Sequence, residues 1–264
     1  MICLLTGLQS KYNSSILRYL LLSDIHSNLE ALEACLALAQ GKYDRVLCLG
    51  DLVGYGPDPN AVIEKVAPLA SVILRGNHDK ACAGQIDTSA FNPHARAASE
   101  WTRHELTPQH FAFLRRLPAG PVQLDGFQIV HGSPRDEDEY ILGPGQAFML
   151  LKSPETQVVC FGHTHYQGGF MISPQGRYES ICPTLGKDGL ILSLTVENQG
   201  RYLFNPGSIG QPRDGEWRAA FAILDPERRS ISYFRASYDL PKTQEKMTKA
   251  GLPEVLIQRL QYGR

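Results

Sequence analysis

Asp24 and His26, then Asp51, Asn77, His131, His163 and His165, stand in that order along the chain, each where a short apolar run gives way to a glycine-punctuated break. Carboxylate, amide and imidazole donors in that number describe a two-metal hydrolytic centre. Two divalent ions roughly 3.5–4 Å apart can share a water molecule and bring its pKa towards neutrality. Hard oxygen donors mixed with borderline imidazole nitrogens, with no cysteine at any of these positions, suit manganese, iron, zinc, cobalt or nickel, manganese favoured. Calcium prefers an all-oxygen shell and is not expected.

The elements that must position these donors are legible as apolar runs. Residues 18–23 read as a buried strand that ends at Asp24-Ile-His26. Side chains two apart on extended backbone point the same way, so Asp24 and His26 are expected to grip one ion from one face. Residues 45–49 lead into Gly50-Asp51, 71–74 into Gly76-Asn-His-Asp79, 127–130 into His131-Gly-Ser133, and 158–161 into Gly162-His-Thr-His165. In open α/β sheets ligands bind beyond the carboxyl ends of the strands, where these five loops would meet. Glycine beside the donors is expected to let the backbone turn sharply. Residues 29–40 place Leu29, Leu32, Leu36 and Ala39 on one helical face behind an Asn28 or Ser27 cap, and residues 60–67 form a second helix after Asp58-Pro59. Strand and helix in alternation give right-handed parallel crossovers. Beyond Gly168 short strands take over, around residues 190–193, 202–204, 219–224 and 230–234.

Singly, these motifs are weak. Gly-Asn-His-Asp is also a turn, and Asp-x-His is a common chance pairing. Gly-His-Thr-His points more firmly to a metal, because adjacent imidazoles on one face repel once protonated. Five such motifs in one order, each at a predicted strand end, are hard to obtain by accident.

The succession Asp24-x-His26, Gly50-Asp-Leu-Val-Gly54, Gly76-Asn-His-Asp79, Val130-His-Gly-Ser133, Gly162-His-Thr-His165 and Asn205-Pro-Gly-Ser-Ile-Gly-Gln-Pro-Arg213 resembles the calcineurin-like metallophosphoesterase superfamily over residues 18–235. It is most similar to the bacterial and archaeal phosphodiesterase branch, whose second block reads Gly-Asp-Leu-Val-Gly-Tyr-Gly-Pro. Serine/threonine protein phosphatases and symmetrical dinucleoside tetraphosphatases continue that block to a phosphate-gripping arginine and end the third in glutamate. This chain has Leu52-Val-Gly-Tyr-Gly56 and Asp79 there, so protein phosphatase activity is not implied.

The resemblance implies an α/β, four-layer fold of two packed mixed β-sheets flanked by helices, with a helical insertion. It implies that Asp24, His26 and His165 hold one metal and Asn77, His131 and His163 the other, while Asp51 bridges both. Loss of Asp51 should then hurt catalysis most. His78 resembles a substrate-facing histidine that is not a ligand; with an ordinary pKa near 6.5 it could protonate a leaving alkoxide or hydrogen-bond a phosphoryl oxygen. Asp79 either orients that ring or is a solvated turn carboxylate. Substrate contacts are expected from Arg135 and Arg213, each after a proline near a motif, and from Tyr55, which could stack on a nucleoside or aryl group or only pack its loop. Arg75 could reach phosphate or be ion-paired. Asn205 either underpins the site or forms a plain turn.

His94, His104 and His110 are not expected as ligands. They fall in residues 91–117, which read as two helices opened by Asn92-Pro93 and Thr107-Pro108, a helical insertion able to wall the metals. With 264 residues and donors spread from Asp24 to His165, one domain is expected over residues 18–240, after an extension at 1–17 and before a tail at 241–264. Charge is balanced, 26 Lys and Arg against 27 Asp and Glu, so neither nucleic acid nor an anionic membrane is implied as an obligatory partner. No apolar run approaches the ~18 residues of a membrane span, and the first residues lack the pattern of a secretory signal. Six cysteines without a paired motif fit a reducing cytoplasm.

The expected function is a dimetal phosphoesterase, foremost a phosphodiesterase, acting on a small or nucleotide-like phosphate ester through a metal-bridging hydroxide. A dinucleoside polyphosphate hydrolase or a broad phosphomonoesterase is the alternative enzyme. From another class, the alternative is a metal-stabilised interaction scaffold without catalysis; such scaffolds tend to lack the substrate-facing histidine, which this chain keeps as His78.

Overall fold

The computed structural model describes residues 17–153, 157–183 and 186–264. The expected N-terminal extension, but for Leu17, lies outside the described residues. Alternate side chains of the central strands are buried on opposite faces, and this sets the architecture. In β1 (Tyr19–Leu22), Leu20 and Leu22 join one apolar cluster and Leu21 another; in β2 (Arg45–Cys48), Val46 and Cys48 join the first and Leu47 the second. A strand that is apolar on both faces must be covered on both. Helices α1 (Leu29–Ala39) and α2 (Pro59–Val66) cover one face through Leu32, Cys35, Val62 and Ile63. The other face meets a second sheet.

The first sheet runs β3 (Val72–Ile73), β2, β1, β11 (Ala219–Asp225), β12 (Ser230–Ala236), β9 (Gly189–Thr195). The second runs β4 (Val122–Leu124), β5 (Phe127–Ile129), β6 (Val158–Cys160), β10 (Arg201–Asn205), β7 (Gly168–Ile172), β8 (Tyr178–Ile181). Leu21, Leu47, Cys160, Phe204, Ala222 and Tyr233 fill the seam between them. On the outer face of the second sheet, Val159 and Leu203 pack against Ala147, Leu150 and Leu151 of α6 (Pro144–Leu151). Helix, sheet, sheet and helix are the expected four layers.

Register explains why the motifs meet. Strands β1, β2 and β3 are parallel, with Leu22 opposite Cys48 and Cys48 opposite Ile73. Strands β5, β6 and β10 are likewise parallel, with Ile129 opposite Cys160 and Cys160 opposite Phe204. Strands that finish level release their loops at one edge.

Helix α1 is capped by Asn28, whose side chain accepts from the Ala31 N–H. Its buried face is broader than expected: Leu32 and Ala39 are fully buried together with Ala31 and Cys35, and Leu29 and Leu36, partly buried, pack against the same core. The helix also has a second neighbour, α7 (Leu240–Lys249), whose Lys242 and Lys246 reach the buried Glu30 at 3.1 and 2.7 Å. Residues 241–264 are therefore not a tail. Helix α7 and α8 (Glu254–Arg259) bury Met247, Leu252, Leu256 and Leu260 in one cluster with Tyr55, Ala95 and Ala98.

Helices α4 (Pro93–Glu105) and α5 (Pro108–Leu114) start where the sequence places them, with Asn92 and Thr107 accepting from the N–H groups of Ala95 and His110. His94 and His104 are exposed, and His110 hydrogen-bonds Asn60 at 2.7 Å. Strands β4, β7 and β8, helix α6 and α3 (Asn77–Cys82) carry too little local signal to be read from sequence; α3 occupies a stretch that reads as a turn.

Candidate metal centre

Each donor reaches the centre from the end of a strand, though not by strand geometry. β1 ends at Leu22, and both Asp24 and His26 take left-handed backbone, at φ 52° and 47°. The expected pairing on extended chain therefore does not occur. Asp51, His163 and His165 are left-handed as well, at φ 53°, 66° and 62°, as are Ser27 and Tyr55. The other non-glycine residues with positive φ, among those described, are Gln199 and Arg229. Such backbone costs of order 1–3 kcal/mol per residue and gathers at functional sites; aspartate and histidine tolerate it better than most side chains. The donors themselves thus share the turning with glycine, which has positive φ at Gly50 and Gly54 but not at Gly76 or Gly162.

Two of those glycines serve as space instead. A Cβ on Gly76 would lie 2.0 Å from Asp51 Oδ1, and one on Gly162 would lie 2.0 Å from Ser23 Oγ. Gly76→Ala is expected to push the Asp51 carboxylate off position, with a loss of about 1–3 kcal/mol of stability and of metal stoichiometry. Urea unfolding and metal analysis of the purified variant check this; wild-type values in both would show that the close approach is dispensable.

The donors form two sets that share a member. Asp24, His26, Asp51 and His165 make one and Asp51, His131 and His163 the other, with ligand atoms inside each set within 4.8 Å of one another. His165 Nε2 lies 3.1 Å from His26 Nε2 and 3.3 Å from Asp24 Oδ1. Asp51 Oδ2 lies 3.7 Å from His26 Nε2 and 3.4 Å from His131 Nε2. Asn77 stands at the first residue of α3, between Gly76 and His78, both in reach of Asp51. Its Oδ1 is buried without a hydrogen-bond partner among the described residues, as is His131 Nε2.

The outer nitrogens of the rings are tied to backbone. Nδ1 of His26, His131 and His165 faces the carbonyl oxygens of Val53, Leu49 and Gln211 at 3.1, 2.8 and 2.6 Å. A ring nitrogen against a carbonyl carries the proton, so in each neutral ring Nε2 turns its lone pair into the cluster. His163 is reversed: Nε2 donates to the Asp138 carbonyl at 3.1 Å, which leaves Nδ1 unprotonated.

Electrostatics match that protonation pattern at His26, His165 and His163 and depart from it at His131. Burial pulls His26 and His165 well below the ordinary histidine value and His163 down to about 3, so these rings stay neutral. For His131 burial also opposes charge, but Asp51 outweighs it and raises the ring to about 9. Asp51, which burial alone would raise, is held well below the carboxylate range by His131, His78 and His26. Burial pushes the Asp24 carboxyl up to about 6. Buried carboxylates and converging lone pairs, with oxygen and imidazole donors and no thiolate, fit divalent transition-metal cations.

Surrounding groups hold this arrangement. Ser23 Oγ donates to Asp24 Oδ2 at 2.6 Å, and Ser208 Oγ to the Asp24 carbonyl at 2.8 Å. Asn205 Nδ2 donates to the Gly162 carbonyl and to Thr164 Oγ1, both at 2.9 Å, and so braces the turn that carries His163 and His165. Asp79 neither orients His78 nor is solvated: it is fully buried, and its oxygens accept from the N–H groups of Val53 and Gly76. The sequence offered no sign of Tyr140, which stacks on His163 with centroids 3.6 Å apart. Nor did it point to Lys80, which binds Glu137 and Asp138 in the loop whose carbonyl meets His163.

The expected substrate-facing residues separate. His78 is buried between Tyr55, His26 and Phe91, at centroid distances of 4.3, 5.0 and 5.1 Å. Its Nδ1 has no hydrogen-bond partner among the described residues, and burial lowers its pKa to about 4. Arg213 joins this group, with Cζ 5.8 Å from the Tyr55 ring centroid and Nη2 3.0 Å from Gln211 Oε1. Arg135 does not: it is exposed and hydrogen-bonds Glu139 at 3.1 Å, because the loop after Pro134 turns it outward. Arg75 is engaged by both oxygens of Glu137, each at 2.8 Å.

A family model for calcineurin-like phosphoesterases matches residues 17–167, more than half of the chain and every donor named above. The chain belongs to the calcineurin-like phosphoesterase family. This phosphoesterase is 34% identical over 249 residues to protein MJ0912 of Methanocaldococcus jannaschii, a match that covers 92% of this chain and 97% of that one. A metallophosphoesterase from Sphaerobacter thermophilus is similar in structure at a TM-score of 0.80 and 40% identity, over 94% of this chain and 99% of that one. Protein PH1004 from Pyrococcus horikoshii OT3 shares the fold at a TM-score of 0.72 and 24% identity, over 94% and 98%. The phosphoesterase is thus a phosphoric ester hydrolase with a buried Asp and His cluster suited to a dinuclear divalent centre. No helix among its described residues is long and apolar enough to cross a membrane.

Proposed function

We infer that the phosphoesterase is a phosphodiesterase acting on a small or nucleotide-like diester, with two divalent transition-metal ions, manganese favoured, as cofactors. The observation that carries this reading is that two buried donor sets share Asp51. Asp24, His26 and His165 would hold one ion and Asn77, His131 and His163 the other, with Asp51 common to both. Ions so held lower the pKa of a water molecule and offset charge on phosphoryl oxygens.

The chain's own residues position and exclude. The carbonyls of Val53, Leu49, Gln211 and Asp138 hold each ring in the tautomer a ligand needs. His78, buried and neutral, presents an N–H to a phosphoryl oxygen. Arg213, which has no carboxylate partner among the described residues, adds charge beside Tyr55 for the anionic ester. Arg135 has no part in this assignment. We place the protein in the cytoplasm, a reading supported by the free thiols of the buried Cys35, Cys48, Cys82 and Cys160.

Hydrolysis of bis(p-nitrophenyl) phosphate, p-nitrophenyl phosphate and diadenosine tetraphosphate in manganese tests the reading. The diester should be preferred by at least about tenfold in kcat/KM, and a chelator should abolish all three activities. Preference for the monoester or the tetraphosphate would replace the phosphodiesterase reading with a phosphomonoesterase or polyphosphate hydrolase, and no hydrolysis at all would favour the scaffold.

A further inference from the structure

A cavity of about 490 Å³ is lined in part by Thr164 and Asn205, the first in the turn that carries His163 and His165 and the second its brace, and the proposed chemistry leaves it without a role. Ile141, Leu142, Thr164, Tyr166, Phe170 and Cys182 are among the residues that line it. Thr164 sits between His163 and His165, so the cavity begins one residue from two of the donors. Ile141 follows Tyr140, the residue stacked on His163. No Asp, Glu, Lys or Arg lines it.

Its amides are already engaged. Gln167 donates to the carbonyls of Pro206, Phe221 and Phe234 and accepts from Arg235. Asn205 donates to Gly162 and Thr164 and accepts from the Gly207 N–H. Around these satisfied groups, Tyr140, Leu142 and Tyr166 leave apolar surface open to solvent, 40%, 66% and 53% exposed.

We propose that this cavity holds the nucleoside arm of the diester, taken as a planar uncharged ring system by stacking and apolar contact. The assignment deepens the phosphodiesterase reading and rests on it. A diester whose phosphorus sits at the cluster must place its organic arms within a few bonds of it, and Thr164, the cavity residue joined in the chain to His163 and His165, is where such an arm would enter. Pockets that hold a small organic ligand run to roughly 300–1,000 Å³, which brackets this one. A second phosphate or a carboxylate is not its occupant, because an anion would be desolvated there without a countercharge. Tyr166 and Phe170 supply aromatic surface for a planar ring. With both amides satisfied, the side-chain polar groups left to meet a base are the hydroxyls of Thr164, Tyr166 and Ser180 and the Cys182 thiol, none of them charged. Exchanging one base for another should therefore change kcat/KM by less than about tenfold.

Cys182 makes the cavity directly measurable, since the other cysteines among the described residues are buried. In the unmodified protein, alkylation by N-ethylmaleimide is followed at the Cys182 peptide by mass spectrometry. Adenosine at millimolar concentration should slow it at least about threefold by mass action, and methyl phosphate should not. In parallel, Cys182→Trp should lower kcat/KM for thymidine 5′-p-nitrophenyl phosphate at least about tenfold more than for methyl p-nitrophenyl phosphate, which has the same leaving group. Alkylation indifferent to adenosine, or equal effects on the two esters, overturns the assignment. Should Cys182→Trp fail to fold, alkylation of the unmodified protein decides alone. If the wild type hydrolyses neither ester, the phosphodiesterase reading fails, and protection by adenosine still reports on the cavity.

Discussion

Asp51→Asn is expected to lower kcat/KM by about 10³-fold or more in a protein that remains folded. The carboxylate is buried, stands 3.7 Å from His26 Nε2 and 3.4 Å from His131 Nε2, and is the member common to both donor sets. Asparagine has the same shape, and its Oδ1 can still accept the His78 N–H that Asp51 Oδ1 accepts at 2.9 Å. What it removes is the negative charge that would lie between the two proposed cations, and a Lewis-acid pair contributes several kcal/mol to the transition state. The purified variant should carry less than its full complement of metal, and manganese should raise its melting temperature less than that of the wild type. Near-wild-type turnover with two bound ions would remove Asp51 from the centre of the proposal.

His78→Ala is expected to retain its metals and lose about 10²-fold or more in kcat. None of the hydrogen bonds that fix ligand tautomers involves His78, and its side chain contacts Tyr55, Phe91 and His26 instead. The sequence left two roles for the ring, proton delivery and hydrogen bonding. Burial, which lowers the ring to about 4 and so leaves little imidazolium at neutral pH, supports the second. The loss should therefore be similar for good and poor leaving groups, as expected of a neutral donor to a phosphoryl oxygen. A loss that grows with leaving-group basicity would show instead that His78 delivers the proton.

The candidate donors were legible because each needs a particular side chain at a strand end. Apolar runs are a local property of sequence, and so are Asn28, Asn92 and Thr107 as helix caps. The left-handed turns at Asp24, His26, Asp51, His163 and His165 were not legible, since aspartate and histidine permit that backbone without demanding it. For the same reason the glycines were read as hinges, although Gly76 and Gly162 are needed for the room they leave beside Asp51 and Ser23. Arg135 and Arg213 follow proline in similar contexts, and only the folded chain separates them: one meets Glu139 in solvent and the other Tyr55 at the cluster.

Sequence alone therefore determined the candidate donors and the strands and helices that carry them, because periodicity, capping and donor chemistry act over a few residues, and the motif succession implied the family and, by resemblance, its layered α/β architecture. Tertiary structure decided what depends on distant segments meeting. It put α7 and α8 against α1 and the Tyr55 loop, made Asp79 a buried acceptor of two backbone N–H groups, and set an uncharged cavity beside Thr164. Each of these depends on burial and on contacts between residues far apart in the chain, quantities that no local pattern encodes.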